Sequence, residues 1–349
     1  MTLTRRRWLM AGTLTAALLL VAVSFAMDEE TLRFAPAPAR IDIQATPIAS
    51  FDRHDPSKTR FGALEFRGGL VLTSKYPAFV GISALNIEPD GAHFLAITDN
   101  GSWLRGRIVY EDGRPLGIHD AEMAPILGAD GKPLAARKWY DVESLTQLDG
   151  MHYIGIERVE QIVRFNFRRD GFAARGEPIA QPPDFKTFAY NKSLECLTAP
   201  PKLSPLAGNL IVITERSLDS AGNHRSFLID PNKPADKAER FSVARSDDFD
   251  VTDCTILPPG DLLLLERRFT PARGPAMRIR RIPLDAIKPG ALADGKILID
   301  VDLNYQIDNM EGIAVHRNAQ GETIVTLVSD DNFSFIQRNL LLQFKLVED

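Results

Sequence analysis

Acidic residues recur at regular intervals along the chain, and no other residue type here is so clearly arranged for chemistry. Five apolar segments each end in an acid, and the intervals between these closing acids are similar. They are Asp99, Glu157, Glu215, Glu266 and Asp330. Four of the five segments also carry an opening acid near their start, namely Glu143, Glu195, Asp253 and Glu311, whereas the first has Ser83. Carboxylates gathered in one place repel each other, so they need a bound cation, raised pKa values or basic partners.

A hard divalent cation suits such a cluster. Calcium takes six to eight oxygen ligands in irregular geometry, and no His repeats beside the acids, nor do two cysteines alone make up a zinc site. The sequence therefore predicts a calcium-type ion held by six acids: Glu143, Glu195, Asp253, Glu311, Asp99 and Asp330. A belt of salt bridges without an ion remains the alternative, because Arg158, Arg216 and Arg267 directly follow closing acids.

The segments between the acids predict the elements that position them. Each copy has a short apolar strand, a turn and a second apolar strand. The turns contain glycine next to polar residues, such as Asp149-Gly150, which suits hairpin positions with positive φ. The spacing leaves room for two further strands per unit. Candidate third strands are residues 162–167, 227–229, 277–282 and 340–346, and a candidate fourth is 296–303.

Four short strands repeated at this period are typical of a β-propeller. The predicted fold class is therefore all-β, with five four-stranded blades by repeat count and a sixth, around residues 41–80, left open. The last repeat lacks a fourth strand, so residues 64–73 are expected to close the ring. A β-sandwich would give no reason for the periodic acids.

Hairpin geometry places the acids at one end of the ring. The start of the first strand and the end of the second lie together in an antiparallel pair. The first strand of each propeller blade lines the central channel, so opening and closing acids are expected at one mouth of that channel. An anionic substrate bound there would meet one of four arginines: Arg105, Arg158, Arg216 or Arg267.

Residues 1–26 have the pattern of a secretory signal. Arg5, Arg6 and Arg7 precede an apolar run, and Ser24 and Ala26 supply the small residues of a cleavage site. The arginine pair before Trp8 resembles a twin-arginine signal. We expect cleavage after residue 26, a linker over 27–40, a propeller domain over 41–349 and a periplasmic or secreted location without stable membrane insertion. An uncleaved anchor is the alternative, since the stretch from Trp8 to Ala26 is just long enough to span a bilayer.

Composition excludes several classes of function. The formal net charge is -5 and no long basic block is present, which argues against nucleic acid or an anionic membrane as the main partner. No Gly-x-Ser-x-Gly elbow and no phosphate-binding P-loop occur. Ser83 has no evident His partner, and the six histidines have no metal-type spacing. Nothing indicates an oligomeric state.

Cys196 and Cys254 each directly follow the opening acid of their repeat. They are therefore expected at equivalent positions of adjacent blades. Side chains alternate along a strand, so each cysteine is expected to face into its own blade while the acid faces the channel. Equivalent strands of neighbouring blades diverge from the axis. The sequence therefore predicts two free, buried and poorly reactive thiols.

Several ordered motifs over about residues 60–347 resemble the phytase-like family, named for the esterase-like activity of phytase. They are Gly81-Ile82-Ser83-Ala84-Leu85, Thr98-Asp99-Asn100-Gly101, Asp141-Val142-Glu143-Ser144-Leu145, Asn191-Lys192-Ser193-Leu194-Glu195-Cys196-Leu197, Met310-Glu311-Gly312-Ile313-Ala314 and Ser329-Asp330-Asp331-Asn332-Phe333. The family often has Glu-Gly after the opening strand, and here only Glu311-Gly312 keeps it. The resemblance implies a secreted propeller that hydrolyses phosphate or carboxylate esters.

Two hypotheses of function follow. The first is a hydrolase that uses calcium at the channel mouth to bind a small-molecule ester or other anionic ligand and to activate water, with an arginine stabilising the developing oxyanion. The second is a non-catalytic propeller whose mouth binds a ligand or a protein of the cell envelope, since one fold serves many functions. Turnover of model esters would separate them.

Overall fold

The computed structural model describes residues 34–347, which form five mainly antiparallel sheets in a propeller arrangement. Blade 1, from the inner strand outward, consists of Ile82–Ile87, His93–Thr98, Ser102–Glu111, Arg114–Pro125 and Ala39–Arg40. Blade 2 consists of Val142–Leu148, Met151–Ile156, Gln161–Phe165, Arg175–Pro178 and Leu127–Gly128. Blade 3 consists of Cys196–Thr198, Leu210–Leu218, His224–Ile229, Glu239–Val243 and Leu292–Ala293.

Blade 4 consists of Asp250–Leu257, Asp261–Thr270, Gly274–Ile282 and Lys296–Asp302. Blade 5 consists of Asn309–Arg317, Thr323–Asp330, Asn339–Leu346, Leu64–Thr73 and Gln44–Ile48, with Arg60–Phe61 paired to the fourth of these. Helical segments are short: Phe167–Asp170 is an α-helical turn, and Leu134–Arg137, Glu157–Val159, Gly171–Ala173, Pro183–Thr187, Ala235–Lys237 and Leu284–Ala286 are 3₁₀ turns.

The predicted propeller with five blades is confirmed. Each inner strand contacts the inner strands of both neighbouring blades, and the fifth contacts the first, so the ring is closed. The predicted closing strand, Leu64–Thr73, pairs antiparallel with Asn339–Leu346. Strands within residues 41–80 belong to blade 5 rather than to a sixth blade. The strands nearest the axis are buried on both faces, which explains continuous apolar runs such as residues 262–265.

The folded domain begins before residue 41. Ala35 is fully buried, and Ala39 pairs with Met123 at the edge of blade 1. The predicted signal over residues 1–26 lies outside the described residues. Within residues 34–347, no helix has the length and apolar character needed to cross a membrane.

A β-bulge at the opening position sets the register of the inner strands. Val142 pairs with Ile156 and Ser144 with Gly155, so Glu143 is the extra residue. The same arrangement places Ser83 and Glu311 at the bulges of blades 1 and 5. A bulge adds one residue to one strand and turns its side chain away from the regular alternation. These bulges therefore present their side chains at the channel mouth.

Blade 4 departs from the sequence alignment by one residue, which corrects two expectations. Val251 pairs with Glu266 and Asp253 with Leu265, so Thr252 rather than Asp253 occupies the bulge. Asp250 pairs with Arg267, whereas the equivalent pair in blade 5 is Asn309 with Asp330. Arg267 therefore stands where the other four blades have their closing acid, and Glu266 lies one position short of it.

The same displacement explains why the prediction of free thiols is wrong. The residue after each bulge faces the next blade, as Ser144 shows by donating to the Leu194 carbonyl at 2.6 Å. Cys196 holds that position in blade 3. Cys254 lies two residues after its bulge and, because alternation reverses at each step, faces back toward blade 3. The two form a disulfide with Cα atoms 5.1 Å apart.

Candidate functional site

The channel mouth combines seven carboxylates with one arginine. The opening positions contribute Glu143, Glu195 and Glu311, and the closing positions contribute Asp99, Glu157, Glu215, Asp330 and Arg267. We call this set the mouth ring. Thr252 and Ser83 fill the two remaining opening positions. The members influence each other's ionisation across blades, as the effect of Glu143, Glu157 and Glu215 on the pKa of Glu195 shows.

Three glutamates of the mouth ring lie close enough to share one cation. Oxygens of Glu157, Glu195 and Glu215 lie within 4.8 Å of one another, and all three side chains are buried. Hairpin hydrogen bonds fix their strands, since the Glu215 amide donates to the Ser193 carbonyl at 3.0 Å. The Ser193 amide in turn donates to the Glu157 carboxylate. We call these three residues the glutamate triad.

Burial disfavours the charged form of these acids. Together with the charge of Glu215, it raises the pKa of Glu157 to about 8. Burial and the Glu143 carboxylate raise the pKa of Glu195 well above its ordinary value. Burial raises the pKa of Asp330 to about 8, and that of Glu311 to about 7 despite the nearby Arg267. A bound cation would reverse these shifts, because carboxylates bind metal ions in their deprotonated form.

Two basic side chains enter the ring. The Lys192 ammonium lies 2.7 Å from Glu215, and the Arg267 guanidinium donates to Glu311 and Asn309 and lies 3.6 Å from Glu215. Burial opposes charge on Arg267, but Glu311 and Glu215 hold its pKa above the ordinary value. The predicted salt-bridge belt is therefore present in part, although it does not neutralise the ring.

Several buried polar atoms at the mouth lack a hydrogen-bond partner within the described residues. Asp99 Oδ1, Glu311 Oε2 and Thr252 Oγ1 are among them. Buried polar groups are normally paired, and each exception needs an explanation. All three are oxygen atoms, which suits coordination to a cation or a hydrogen bond with ordered water.

Two predicted ring acids serve other purposes. Asp253 accepts hydrogen bonds from the amides of Cys254 and Ile313, at 2.7 and 2.8 Å, and so links the inner strands of blades 4 and 5. Glu266 was expected to gather with the closing acids. It instead points into its blade, where Arg280 holds it at 2.8 and 2.6 Å.

The four predicted arginines divide into three at the mouth and one elsewhere. Arg158 pairs with Asp141 at 3.0 Å and stacks on Tyr140, and Arg216 pairs with Asp250. Arg267 belongs to the ring itself. Arg105 instead pairs with Glu122 at 2.7 Å, away from the ring, beside a groove between blades 1 and 2.

Glu160 belongs to the site although no repeat of the sequence marks it. The residue adopts a left-handed conformation with φ of 49°, and its carboxylate accepts a hydrogen bond from the Ser193 hydroxyl. Burial raises the pKa of Glu160 to about 7. Glu157 and Glu215 did have a sequence signal, because both are closing acids, but the predicted ligand set omitted them.

Solved structures with similar folds share little sequence with this chain. An α-L-arabinanase of Cellvibrio cellulosa complexed with arabinohexaose has 12% identity and a TM-score of 0.43, covering 77% of this chain and 93% of its own. A glutaminyl cyclase of Myxococcus xanthus has 11% identity and a TM-score of 0.41, covering 77% and 92%. The PQQ-bound aldose sugar dehydrogenase of Streptomyces coelicolor has 11% identity and a TM-score of 0.38, covering 88% and 99%. Similarity this low does not bear on function.

No curated protein matches the sequence. A family does match: residues 77–333 correspond to the Phytase-like family, described as esterase-like activity of phytase. That match includes every residue of the mouth ring and spans most of the chain. The protein therefore belongs to the Phytase-like family.

Proposed function

We propose that this protein is a cation-dependent hydrolase of phosphate or carboxylate esters, with its active site at the mouth ring. The observation that carries the proposal is the glutamate triad, a buried set of three carboxylates whose oxygens lie within 4.8 Å of one another beside two basic side chains. Sites that bring a metal ion and an anionic ester into contact combine carboxylates, which bind the metal ion, with basic side chains, which bind the ester.

The donor set fits calcium. The triad offers only hard oxygen ligands, and Glu311 Oε2 and Asp99 Oδ1 are further oxygens of the same ring without a partner in the described chain. Calcium accepts such irregular oxygen sites, whereas magnesium demands near-octahedral geometry. When bound, the ion would supply Lewis acidity to the ester and lower the pKa of a water molecule.

The chain's own residues would bind the substrate and move its protons. Lys192 and Arg267 are placed to hold anionic oxygens of the ester and of the transition state. Arg158 and Arg216 would add positive charge at the rim, although each already has a carboxylate partner. Glu160 would hold or release a proton, because a pKa of about 7 suits a general base at neutral pH.

Turnover of p-nitrophenyl phosphate and p-nitrophenyl acetate by the purified protein, with calcium and with chelator, tests the proposal. We expect turnover of at least one ester and a loss on the order of 100-fold with chelator or with Glu195→Gln, as for removal of one strong transition-state interaction. The matched control is Glu239→Gln, an exposed acid on an outer strand of blade 3, which should leave the rate unchanged. No turnover of either ester by any form would favour the ligand-binding alternative.

Export to the periplasm or beyond forms part of the proposal. Its support is the signal-like sequence over residues 1–26 and the disulfide, since disulfides persist mainly in oxidising compartments. Replacing Arg5 and Arg6 by Lys should trap the precursor in the cytoplasm. An unchanged periplasmic yield would show that the twin-arginine route is not used.

A further inference from the structure

A groove between blades 1 and 2 lies at the opposite end of the ring from the acids. Its volume is about 680 Å³, and it is the cavity beside which Arg105 lies. Phe94 and His152 stand near the start of second strands, and Gln147 near the end of an inner strand. Those are the hairpin ends away from the mouth. The groove is therefore separate from the mouth ring.

A buried histidine lines this groove. His152 is only 6% exposed, and its Nδ1 atom makes no hydrogen bond within the described residues. The His152 imidazole packs edge-on against the Phe167 ring, with centroids 5.5 Å apart. Burial lowers the pKa of His152 to about 4, so the imidazole is neutral at pH 7 and its ring nitrogens can exchange a hydrogen bond with a hydroxyl group.

Apolar side chains form part of the groove wall. Leu95 is a buried residue of blade 1 that packs toward blade 2 and lines the groove. Phe167 on the blade 2 side is held by Trp103, with ring centroids 5.0 Å apart. An aromatic wall favours a flat ring, because offset and edge-to-face arrangements add to the burial of apolar area.

Two charged side chains at the groove make no ion pair, although their neighbours do. Arg105 is held by Glu122, and Asp120 lies 3.3 Å from Arg107. In contrast, the side chains of Arg168 and Glu88, which both line the groove, make no ion pair within residues 34–347. This cation and this anion match a ligand that carries both charges.

We propose that this groove binds a small aromatic zwitterion of the type of a free aromatic amino acid. The aromatic ring lies between Leu95 and Phe167, the carboxylate pairs with Arg168 and the ammonium pairs with Glu88. A ring hydroxyl bonds to His152 through its Nε2 atom, which is not among the inaccessible buried atoms. The site is independent of the cation and of ester hydrolysis.

Calorimetric titration of the purified protein with L-tyrosine, in chelator, tests this site. We expect one molecule bound per chain. Tyramine lacks the carboxylate and 3-(4-hydroxyphenyl)propionate lacks the ammonium, so each should bind about tenfold more weakly, as the loss of about one charged contact predicts. L-Phenylalanine, without the hydroxyl, should bind more weakly than L-tyrosine.

Surface variants locate the ligand without threatening the fold. Arg168→Gln should weaken L-tyrosine about tenfold while leaving tyramine unchanged, because tyramine has no carboxylate to lose. The matched control is Arg169→Gln, since Arg169 belongs to the same helical turn but pairs with Asp170 and lines another cavity. It should leave both ligands unchanged.

Three results would overturn the proposal. They are the absence of L-tyrosine binding, an Arg168→Gln variant that binds both ligands as wild type does, and a loss of L-tyrosine binding in Glu195→Gln. The last result would place the ligand at the mouth.

Discussion

Blades 3 and 4 contain nearly the same sequence pattern, an acid followed by a cysteine at the start of the inner strand, yet they use it in different ways. In blade 3 the acid, Glu195, faces the mouth and joins the glutamate triad. In blade 4 the bulge falls on Thr252, and Asp253 binds backbone amides of blades 4 and 5. A displacement of one residue is enough to convert a candidate metal ligand into a structural acceptor.

The closing acids show the same contrast in their energetics. Glu215 of blade 3 lies among other carboxylates, with Lys192 and Arg267 as partial compensation. Glu266 of blade 4 forms a fully buried, doubly hydrogen-bonded pair with Arg280. Removing one partner of a buried pair leaves an uncompensated charge, whereas neutralising one of several mutually repelling acids relieves repulsion. Neutralising Glu266 should therefore cost much more stability than neutralising a closing acid of the mouth ring.

The largest expected effect is that of Glu266→Gln. It should destabilise the protein by about 3–5 kcal/mol, because the buried Arg280 loses its doubly hydrogen-bonded carboxylate and keeps only the more exposed Asp294. Denaturant unfolding at pH 7 in chelator measures the free energy. The matched variant, Glu157→Gln, should change the stability by less than about 1 kcal/mol, since the raised pKa of Glu157 keeps that carboxyl protonated at pH 7. Equal losses in the two variants would contradict the contrast.

The next largest effect concerns the bond that joins the two blades. Replacing both Cys196 and Cys254 by Ala should cost roughly 4 kcal/mol in the chain-entropy view of a loop of this length, or about 2–4 kcal/mol in practice. Thiol titration of the denatured, non-reduced wild type should find no free thiol within the described chain. Two titratable thiols would show that no disulfide joins the blades. An unchanged unfolding midpoint in the double variant would show that the disulfide does not stabilise them.

A smaller effect is the pH dependence of the mouth ring. The folded-state pKa values of Glu157 and Asp330 are raised to about 8, and that of Glu311 to about 7. Above about pH 4.5 the unfolded chain releases protons that the folded chain still holds, so stability falls as pH rises from about 5 to about 8. Over this pH range, the free energy of unfolding measured in chelator should fall by more than about 1.4 kcal/mol, the equivalent of one pKa unit. Calcium should reduce that loss, because the ion replaces the protons. A flat profile in chelator would mean that the acids are compensated internally.

The smallest effect should come from Thr252→Val. The buried Thr252 hydroxyl has no partner within the described residues, so its removal sacrifices no hydrogen bond and should leave the free energy of unfolding nearly unchanged. Thr98→Val is the control, because Thr98 Oγ1 donates to Asn100 at 2.5 Å and accepts from the Ser102 amide at 3.1 Å. Thr98→Val should lower the free energy of unfolding by about 1 kcal/mol or more. A larger cost at Thr252 than at Thr98 would show that the Thr252 hydroxyl is bound in solution.

The sequence predicts the repeat better than it predicts the register. Periodic acids, alternating apolar residues and glycine turns were sufficient for five blades, for the third strands and for the closing strand Leu64–Thr73. A β-bulge adds a residue without changing composition, so nothing in Thr252-Asp253-Cys254 shows that the middle residue is not the one at the bulge. The disulfide and the place of Arg267 in the ring followed from that unseen shift.

Other parts of the candidate site depend on contacts that have no periodic pattern. Glu160 owes its raised pKa to burial beside Ser193, which lies in the next blade's repeat. Arg105 stands within a strand whose mouth end is Ser102, so its position in the hairpin, rather than its charge, decides that it faces the groove. Such features become visible only when the blades are assembled.

The closing strand ties the beginning of the domain to its end, and this has a consequence for how the protein is made. Leu64–Thr73 pairs with Asn339–Leu346, so almost the whole domain separates the two partners in sequence. Contacts so distant in sequence slow folding, because a long stretch of chain must be ordered before they form. During synthesis the first of these strands leaves the ribosome long before its partner exists, and its unpaired edge stays open to other nascent chains. Only a polypeptide that includes the last strand can complete the ring, so premature termination anywhere before it should leave a product prone to aggregation rather than a smaller, stable propeller.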